Sequence, residues 1–167
     1  MSKSIQCIRK ATMGGMFIPA LAGVLGLALL ALAPTQGLSG PPEEAAALFA
    51  RWKAAYDAND NVAVASLYAQ DAILHGTKNN TLTIGREAIT NYFKVIVGTG
   101  NKVEFVEQEL RVLDDTTILV AGFNDFLRNR EGKLIPEPAR FTMVLVKQGK
   151  DWFIAHHHSS LRPPPRQ

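Results

Sequence analysis

Residues 139–160 read ARFTMVLVKQGKDWFIAHHHSS, and this stretch decides the fold. β-branched and aromatic residues are frequent on both sides of Gln148-Gly149-Lys150-Asp151, which has the composition of a tight turn. Two such runs joined by a short turn are typical of a β-hairpin. The sequence therefore predicts that the chain ends in two adjacent antiparallel strands.

The same pattern extends upstream to Gly100. Turn-forming residues interrupt it at Asp114-Asp115 and at Asn129-Arg130-Glu131-Gly132, so four strands are predicted in all. We place them at Lys102–Leu113, Thr117–Arg128, Leu134–Lys147 and Trp152–Ser160.

Residues 41–99 carry helix signals instead. Pro41 and Pro42, followed by two glutamates, suit a first helical turn, and apolar residues then recur at spacings of three and four. The segment Asn59-Asp60-Asn61 ends this first helix and caps the start of the next one. The predicted elements are a helix from Pro41 to about Tyr56, a second at Val62–Tyr68, a short strand at Ala72–Gly76 and a third helix opening at Gly85-Arg86-Glu87.

This order predicts an α+β fold, with three N-terminal helices packed on one face of a curved antiparallel sheet. Strand alternation places Trp152, His156 and His158 on one face of the last strand, with His157 on the other. Both faces are apolar near the start of this strand. We therefore expect a second copy of the chain to bury the face that the helices leave open, most simply in a two-fold dimer.

The N-terminus has the pattern of an export signal. Residues 1–15 are basic, residues 16–33 form the uncharged apolar run MFIPALAGVLGLALLALA, and a polar segment follows. We predict a signal peptide over residues 1–37 with cleavage near 33–37, and hence a periplasmic or secreted protein. The alternative is an uncleaved N-terminal membrane anchor, the only contact with a membrane that we expect.

Charge and cysteine content narrow the function classes. Lys3, Arg9 and Lys10 lie in the first 33 residues, which contain no acid, so the other 15 of the 18 basic residues balance all 15 acidic ones. The net charge of +3 thus belongs to the export signal, and no nucleic-acid partner is expected. Cys7 also lies there, so the exported part offers neither a disulfide nor a thiol nucleophile.

Two motifs resemble those of a known superfamily. The chain is similar here to the nuclear transport factor 2-like superfamily, which includes SnoaL-like cyclases and ketosteroid isomerase. The first motif is Asn59-Asp60-x(6)-Leu67-Tyr68-Ala69-x-Asp71-Ala72, and the second is Gly85-Arg86-Glu87-Ala88-Ile89-x-x-Tyr92-Phe93. The hairpin that ends in His156-His157-His158-Ser159-Ser160 more narrowly resembles bacterial relatives of the calcium/calmodulin-dependent protein kinase II association domain.

The resemblance implies a cone-shaped, cystatin-like domain over residues 41–162, followed by a loose Pro-rich tail at 163–167. It also implies assembly through the sheet and a deep pocket between sheet and helices. Fold alone does not fix function.

Aromatic and cationic side chains are the candidates for that pocket. If Thr142 pairs with His156 or His158 in the last hairpin, Arg140 lies beside those histidines on the same face of the sheet. A group of one arginine and two histidines is suited to binding a small anionic ligand. The aromatic residues could instead be core, and Arg140 could be a partner of Glu137 or a subunit contact. The predicted pocket residues are Trp52, Tyr56, Tyr92, Arg140, Thr142, His156 and His158.

Metal binding and proton transfer are two further chemistries to which the same residue types are suited. His156 and His158 could chelate a metal with His75 or Asp71, but the spacing fixes no third ligand, so neither metal nor cofactor is predicted. His75, Asp71 and His158 are the catalytic candidates, with Asp125 and Tyr56 also available. Phosphate-loop, nucleophile-elbow and dinucleotide motifs are missing from the sequence, and nothing supports an oxidoreductase.

The leading hypothesis is an exported, oligomeric small-molecule-binding or assembly domain. The alternative is a SnoaL- or ketosteroid-isomerase-like enzyme that transfers a proton on a small apolar or anionic compound. The third hypothesis is a purely scaffolding domain whose pocket is vestigial. The expected partners are a second copy of the chain and a small anion.

Overall fold

The computed structural model of the protein describes residues 40–164. The predicted signal segment and the last three residues of the tail lie outside this range. Within it, no helix has the length and hydrophobicity needed to span a bilayer. The elements are α1 (Pro41–Asp57), α2 (Asn61–Ser66), β1 (Tyr68–His75), β2 (Thr83–Ile84), α3 (Arg86–Tyr92), a 3₁₀ turn (Phe93–Ile96), β3 (Lys102–Asp114), β4 (Thr117–Arg130), β5 (Lys133–Gln148) and β6 (Asp151–Leu161).

The six strands form one mixed sheet in the order β2-β1-β6-β5-β4-β3. The four long strands match their predicted positions to within two residues and pair as an antiparallel meander. The prediction of a wholly antiparallel sheet is wrong, because β1 runs parallel to β6. Two parallel strands need a long connecting segment between them. Here the connection consists of all the elements between the end of β1 at His75 and the start of β6 at Asp151.

The helix starts follow the predicted signals. Pro41 and Pro42 occupy the first helical positions of α1, with two glutamates in the first turn. The Asp60 side chain caps α2 by accepting hydrogen bonds from the backbone N–H groups of Val62 and Ala63, at 3.0 and 2.9 Å. The predicted extension of α2 to Tyr68 is wrong, since Tyr68 already begins β1.

A β-bulge at Ala155 changes which residues of β6 face the core. Val144 pairs with His156 while Leu145 pairs with Ile154, so β6 has one extra residue between the two pairs. Trp152 and Ile154 are buried before the bulge, and His157 and Ser159 are buried after it. The prediction that His156 and His158 share the face of Trp152 is therefore wrong.

The core lies between the helices and one face of the sheet. Buried residues of α1 pack against inward-facing residues of β4, β5 and β6, and an aromatic cluster joins Phe49, Phe105 and Phe141 through ring centroids 5.1–5.7 Å apart. We call the other side the outer face; it presents Leu119, Thr142 and Val144, all partly exposed.

Candidate functional site

A cavity of about 650 Å³ opens between the end of α1, the segment around the 3₁₀ turn, and the last residues of β4. Its apolar wall includes Phe93 and Phe126, and its polar wall includes Tyr56, Asn101 and Arg128. A volume of this size suits a small organic molecule. We refer to this space as the helix–sheet cavity.

Arg128 is the charged group on the wall of the cavity. Its Nε donates a hydrogen bond of 2.7 Å to the Glu137 carboxylate, its Nη2 lies 2.6 Å from the same oxygen, and its Nη1 is 3.5 Å from the Tyr56 hydroxyl. The guanidinium also lies 5.0 Å from the centre of the Phe126 ring. These contacts fix the orientation of a side chain that carries five N–H donors.

Glu137 is held by two cations. Lys78, from the loop after β1, forms an ion pair with the carboxylate oxygen that Arg128 leaves open. Burial acts to raise the pKa of Glu137, but the hydrogen bonds from Lys78 and Arg128 outweigh it, so the pKa lies below its usual value. Lys78 and Arg130 are cavity residues as well, so positive charge is in excess here.

Two tyrosines contribute neutral hydroxyl groups. Burial raises the pKa of Tyr56 to about 12, although the nearby Arg128 acts in the opposite direction. Burial also raises the pKa of Tyr92. Both phenols therefore remain protonated at neutral pH and can donate hydrogen bonds to a ligand.

Gly76 allows Tyr92 to reach the cavity. A Cβ at position 76 would lie 2.3 Å from the Tyr92 hydroxyl oxygen and 2.4 Å from the ring itself. The lack of a side chain therefore permits the phenol to pack directly on the backbone at the end of β1.

A buried polar chain lies beside the cavity. Trp52 Nε1 donates a hydrogen bond of 3.1 Å to the Tyr68 hydroxyl, which lies 2.8 Å from His157 Nδ1. Burial is the main cause that lowers the pKa of His157 to about 3, followed by the two adjacent histidines. His157 is therefore neutral at physiological pH, and its Nδ1 can accept the Tyr68 O–H.

The comparison with known families matches residues 45–164 to the SnoaL-like domain. The chain belongs to this family. The comparison with curated proteins found no match to this chain. Membership of the SnoaL-like family places the chain in the nuclear transport factor 2-like superfamily, as its sequence motifs predicted.

Solved structures agree with that assignment. A protein from Xanthomonas campestris assigned as a calcium/calmodulin-dependent protein kinase II association domain is 36% identical, with a TM-score of 0.69 over 75% of this chain and 90% of that one. A nuclear transport factor 2-like protein from Novosphingobium aromaticivorans, 17% identical, gives 0.63 over 72% and 80%. A Streptomyces avermitilis protein described as a dehydratase of that family, 14% identical, gives 0.66 over 74% and 97%. The last two show the cystatin-like fold alone.

The SnoaL-like domain brings some of the predicted pocket residues together. Tyr56 and Tyr92 both line the helix–sheet cavity. Trp52 lies behind Tyr56, with the two rings stacked at a centroid distance of 5.2 Å, so its role is to support the wall.

The other predicted pocket residues lie on the outer face. Thr142 pairs with His158, which is one of the two pairings that the sequence predicted, and Arg140 pairs with Ser160. Arg140 and Thr142 face away from the helices because they alternate with the buried Phe141 and Met143 on β5. The bulge at Ala155 then places His156 and His158 on the same side. Arg140 does not pair with Glu137; its Nε donates a hydrogen bond of 3.0 Å to Ser160 Oγ.

The three catalytic candidates of the sequence are also outside the cavity, and of the two further residues offered for catalysis only Tyr56 lines it. His75 and Asp71 are exposed on β1, and Asp125 is partly exposed on β4. His75 lies next to His158 in the parallel pair, with ring centroids 5.4 Å apart. Within residues 40–164, no three His, Cys, Asp or Glu side chains are arranged to hold a metal ion.

Sequence reasoning missed Arg128 as a cavity residue. Ile118, Val120 and Phe126 are buried on β4, and Arg128 follows them with the same parity. Period-two counting from this apolar set would have placed the guanidinium on the helix side of the sheet. Lys78 and Asn101 come from loops, where no such periodicity exists.

Proposed function

We propose that this SnoaL-like domain binds a small organic anion in the helix–sheet cavity and serves as a binding or assembly domain. One observation carries the proposal: Arg128 is fixed on the wall of the cavity by Glu137 and Tyr56, next to apolar rings. A preorganised guanidinium with unused N–H groups is suited to a carboxylate.

The surroundings of Arg128 suit the rest of such a ligand. Tyr56 and Asn101 add hydrogen-bonding groups beside the guanidinium, and Phe93 and Phe126 offer an apolar surface. An anionic group would meet Arg128 while its hydrocarbon part packs against the rings. The proposed ligand class is therefore a monocarboxylate with an aromatic or branched aliphatic body.

Binding is favoured over proton transfer by the state of Glu137. Among the described residues that line the cavity there is neither a carboxylate nor a histidine. Glu137 lies behind Arg128, and Lys78 and Arg128 lower its pKa, so it is a weak base. A general base for the enzyme alternative would need a pKa nearer neutrality.

Assembly and export form the wider part of the proposal. The association-domain assignment of the Xanthomonas campestris relative, together with the apolar residues Leu119 and Val144 on the outer face, supports self-association through the sheet. The basic-then-apolar pattern of residues 1–33 supports export to the periplasm or medium. Fractionation of cells expressing the full chain tests the export part.

Calorimetric titration with phenylacetate and with the neutral phenylacetamide tests the binding part. We expect phenylacetate to bind more tightly, and Arg128→Gln to weaken its binding roughly tenfold through the lost charge-assisted hydrogen bonds. Arg111→Gln is the matched control, because Arg111 pairs with Glu109 on the exposed surface. Equal binding of the two compounds, or an Arg128→Gln variant with unchanged affinity, would refute the proposal.

A further inference from the structure

A second hollow lies on the outer face of the sheet, away from the helix–sheet cavity. It measures about 660 Å³ and is lined by Phe123, Pro138, Arg140, Arg162, Pro163 and Pro164. Its residues come from β4, from β5 and from the segment that follows β6. We refer to it as the arginine hollow.

Contacts with the sheet hold both arginines of the hollow in place. The backbone N–H of Arg162 donates a hydrogen bond of 2.9 Å to the Pro138 carbonyl, and its guanidinium lies 4.1 Å from the centre of the Phe123 ring. The Arg140 side chain is fixed by its hydrogen bond of 3.0 Å to Ser160 Oγ. Each contact leaves most of the guanidinium N–H groups available to a ligand.

Neither arginine of the hollow forms an ion pair within the described residues. Arg128 and Arg111 form ion pairs with Glu137 and Glu109, but within residues 40–164 neither arginine of the hollow has an acidic partner within 4.0 Å. The nearest acids by strand register are Glu107, opposite Phe123, and Asp125, opposite Pro138. The hollow therefore combines two positive charges with an apolar lining of one phenyl and three proline rings.

We propose that the arginine hollow is a second ligand site, which takes a carboxylate attached to an apolar body. Two guanidinium groups can each offer paired N–H donors to a carboxylate. The proline and phenyl rings provide the apolar contact that a free inorganic anion would not use. The site is independent of Arg128, so it stands or falls separately from the function proposed for the helix–sheet cavity.

The arginine hollow and the apolar part of the outer face are neighbouring areas on the same side of the sheet. Arg140 and Val144 are four residues apart on β5, which corresponds to roughly 13 Å along a strand. A subunit interface of standard size extends about this far from its centre, so a second copy centred on Val144 would lie at the edge of the hollow.

Backbone amide shifts in the ¹⁵N-labelled protein can report on the two sites separately. Titration with benzoate should shift the amides of Phe123, Arg140 and Ser160 in a saturable manner, and the neutral benzamide should bind there roughly tenfold more weakly. Arg140→Gln and Arg162→Gln should each weaken the benzoate response at these amides, while Arg111→Gln should leave it unchanged. Shifts at Asn101 and Tyr92 would report on the helix–sheet cavity instead.

Three outcomes would overturn the assignment. The first is a lack of saturable shifts at Phe123, Arg140 and Ser160. The second is an unchanged benzoate response in the Arg140→Gln, Arg162→Gln double variant. The third is displacement of benzoate by an equal concentration of inorganic phosphate, which would show that the hollow recognises charge without the apolar body.

Discussion

At the scale of single residues, the contact between Tyr68 and His157 shows how the domain tolerates polar groups in its core. Both side chains are almost fully buried, and within the described residues every buried side-chain N or O atom has a hydrogen-bond partner. The indole of Trp52 can only donate, so the Tyr68 oxygen accepts from it and the Tyr68 hydrogen is available to His157. A neutral histidine completes this chain without placing a charge in the core.

The protonation of His157 gives a testable dependence of stability on pH. Its pKa is about 3 in the folded state, against an ordinary value of 6.5, so the unfolded chain takes up a proton that the folded domain does not. As the pH falls from about 6.5 towards 3, the free energy of unfolding should decrease by up to roughly 1.4 kcal/mol per pH unit from this group. Urea unfolding at pH 7, 6, 5 and 4 measures the effect.

His157→Gln is the companion variant for this measurement. Glutamine offers hydrogen-bonding atoms to Tyr68 but does not titrate, so the slope between pH 6 and 4 should become shallower. His156 keeps its contribution in both proteins; burial first, and then His75 and His158, lower its pKa. Identical slopes for the two proteins would contradict the account of His157.

At the scale of elements, Glu44 fastens the start of α1 to the last hairpin. Its carboxylate accepts hydrogen bonds from Trp152 Nε1 and, at 3.2 Å, from Lys147 Nζ. The Trp152 hydrogen bond is the main cause that lowers the pKa of Glu44, and Lys147 adds to it. A single carboxylate thus connects α1 with both β5 and β6.

The indole contact allows this junction to be followed by fluorescence. When the pH falls below 4.5 and Glu44 takes up its proton, the Trp152 indole loses a charged acceptor, so the tryptophan emission should change with a midpoint below the ordinary pKa of a glutamate. In Glu44→Gln this transition should be missing, while any signal from Trp52 remains. A transition of equal amplitude in both proteins would show that Glu44 does not control it.

Predictability from sequence also differs from element to element. The four long strands were predicted closely because turn residues separate them and β-branched residues fill them. The parallel pairing of β1 with β6 could not be predicted, because it joins segments about 80 residues apart and leaves no local pattern. The bulge at Ala155 could not be predicted either, since alternation assumes a regular ladder, and this one residue placed His156 and His158 on the outer face. The outward direction of Arg140 and Thr142 was open to prediction, because they alternate with the apolar Phe141 and Met143 on β5.

At the scale of the whole molecule, the outer face carries apolar residues that an isolated domain would leave open to solvent. Leu119 and Val144 pair across β4 and β5 and are only partly exposed, next to His156. Apolar residues on both faces of the central strands are typical of a sheet that is covered on both sides. The helices cover one side, and the proposed second copy would cover the other.

Val144→Asp tests self-association at the centre of this face. A buried, unpaired carboxylate at a subunit contact is strongly unfavourable, so the variant should sediment as a monomer where the original protein sediments as a dimer or larger species. Val62→Asp is the control; Val62 is 63% exposed on α2, on the helix side of the domain. A monomeric original protein at micromolar concentration, or a Val144→Asp variant of unchanged mass, would refute the assembly proposal.

The position of β6 has a consequence for how the domain is synthesised. β6 is the last of the six strands in chain order, yet it lies between β1 and β5 in the sheet. Until residues 151–161 are available, the ribbon of β1 and β2 has no pairing partner to join it to the β3–β5 meander. The sheet therefore cannot be completed until residues 151–161 have been synthesised, and its closure depends on pairing between distant segments. A chain that ends before residue 151 therefore lacks the strand that connects the two parts of the sheet.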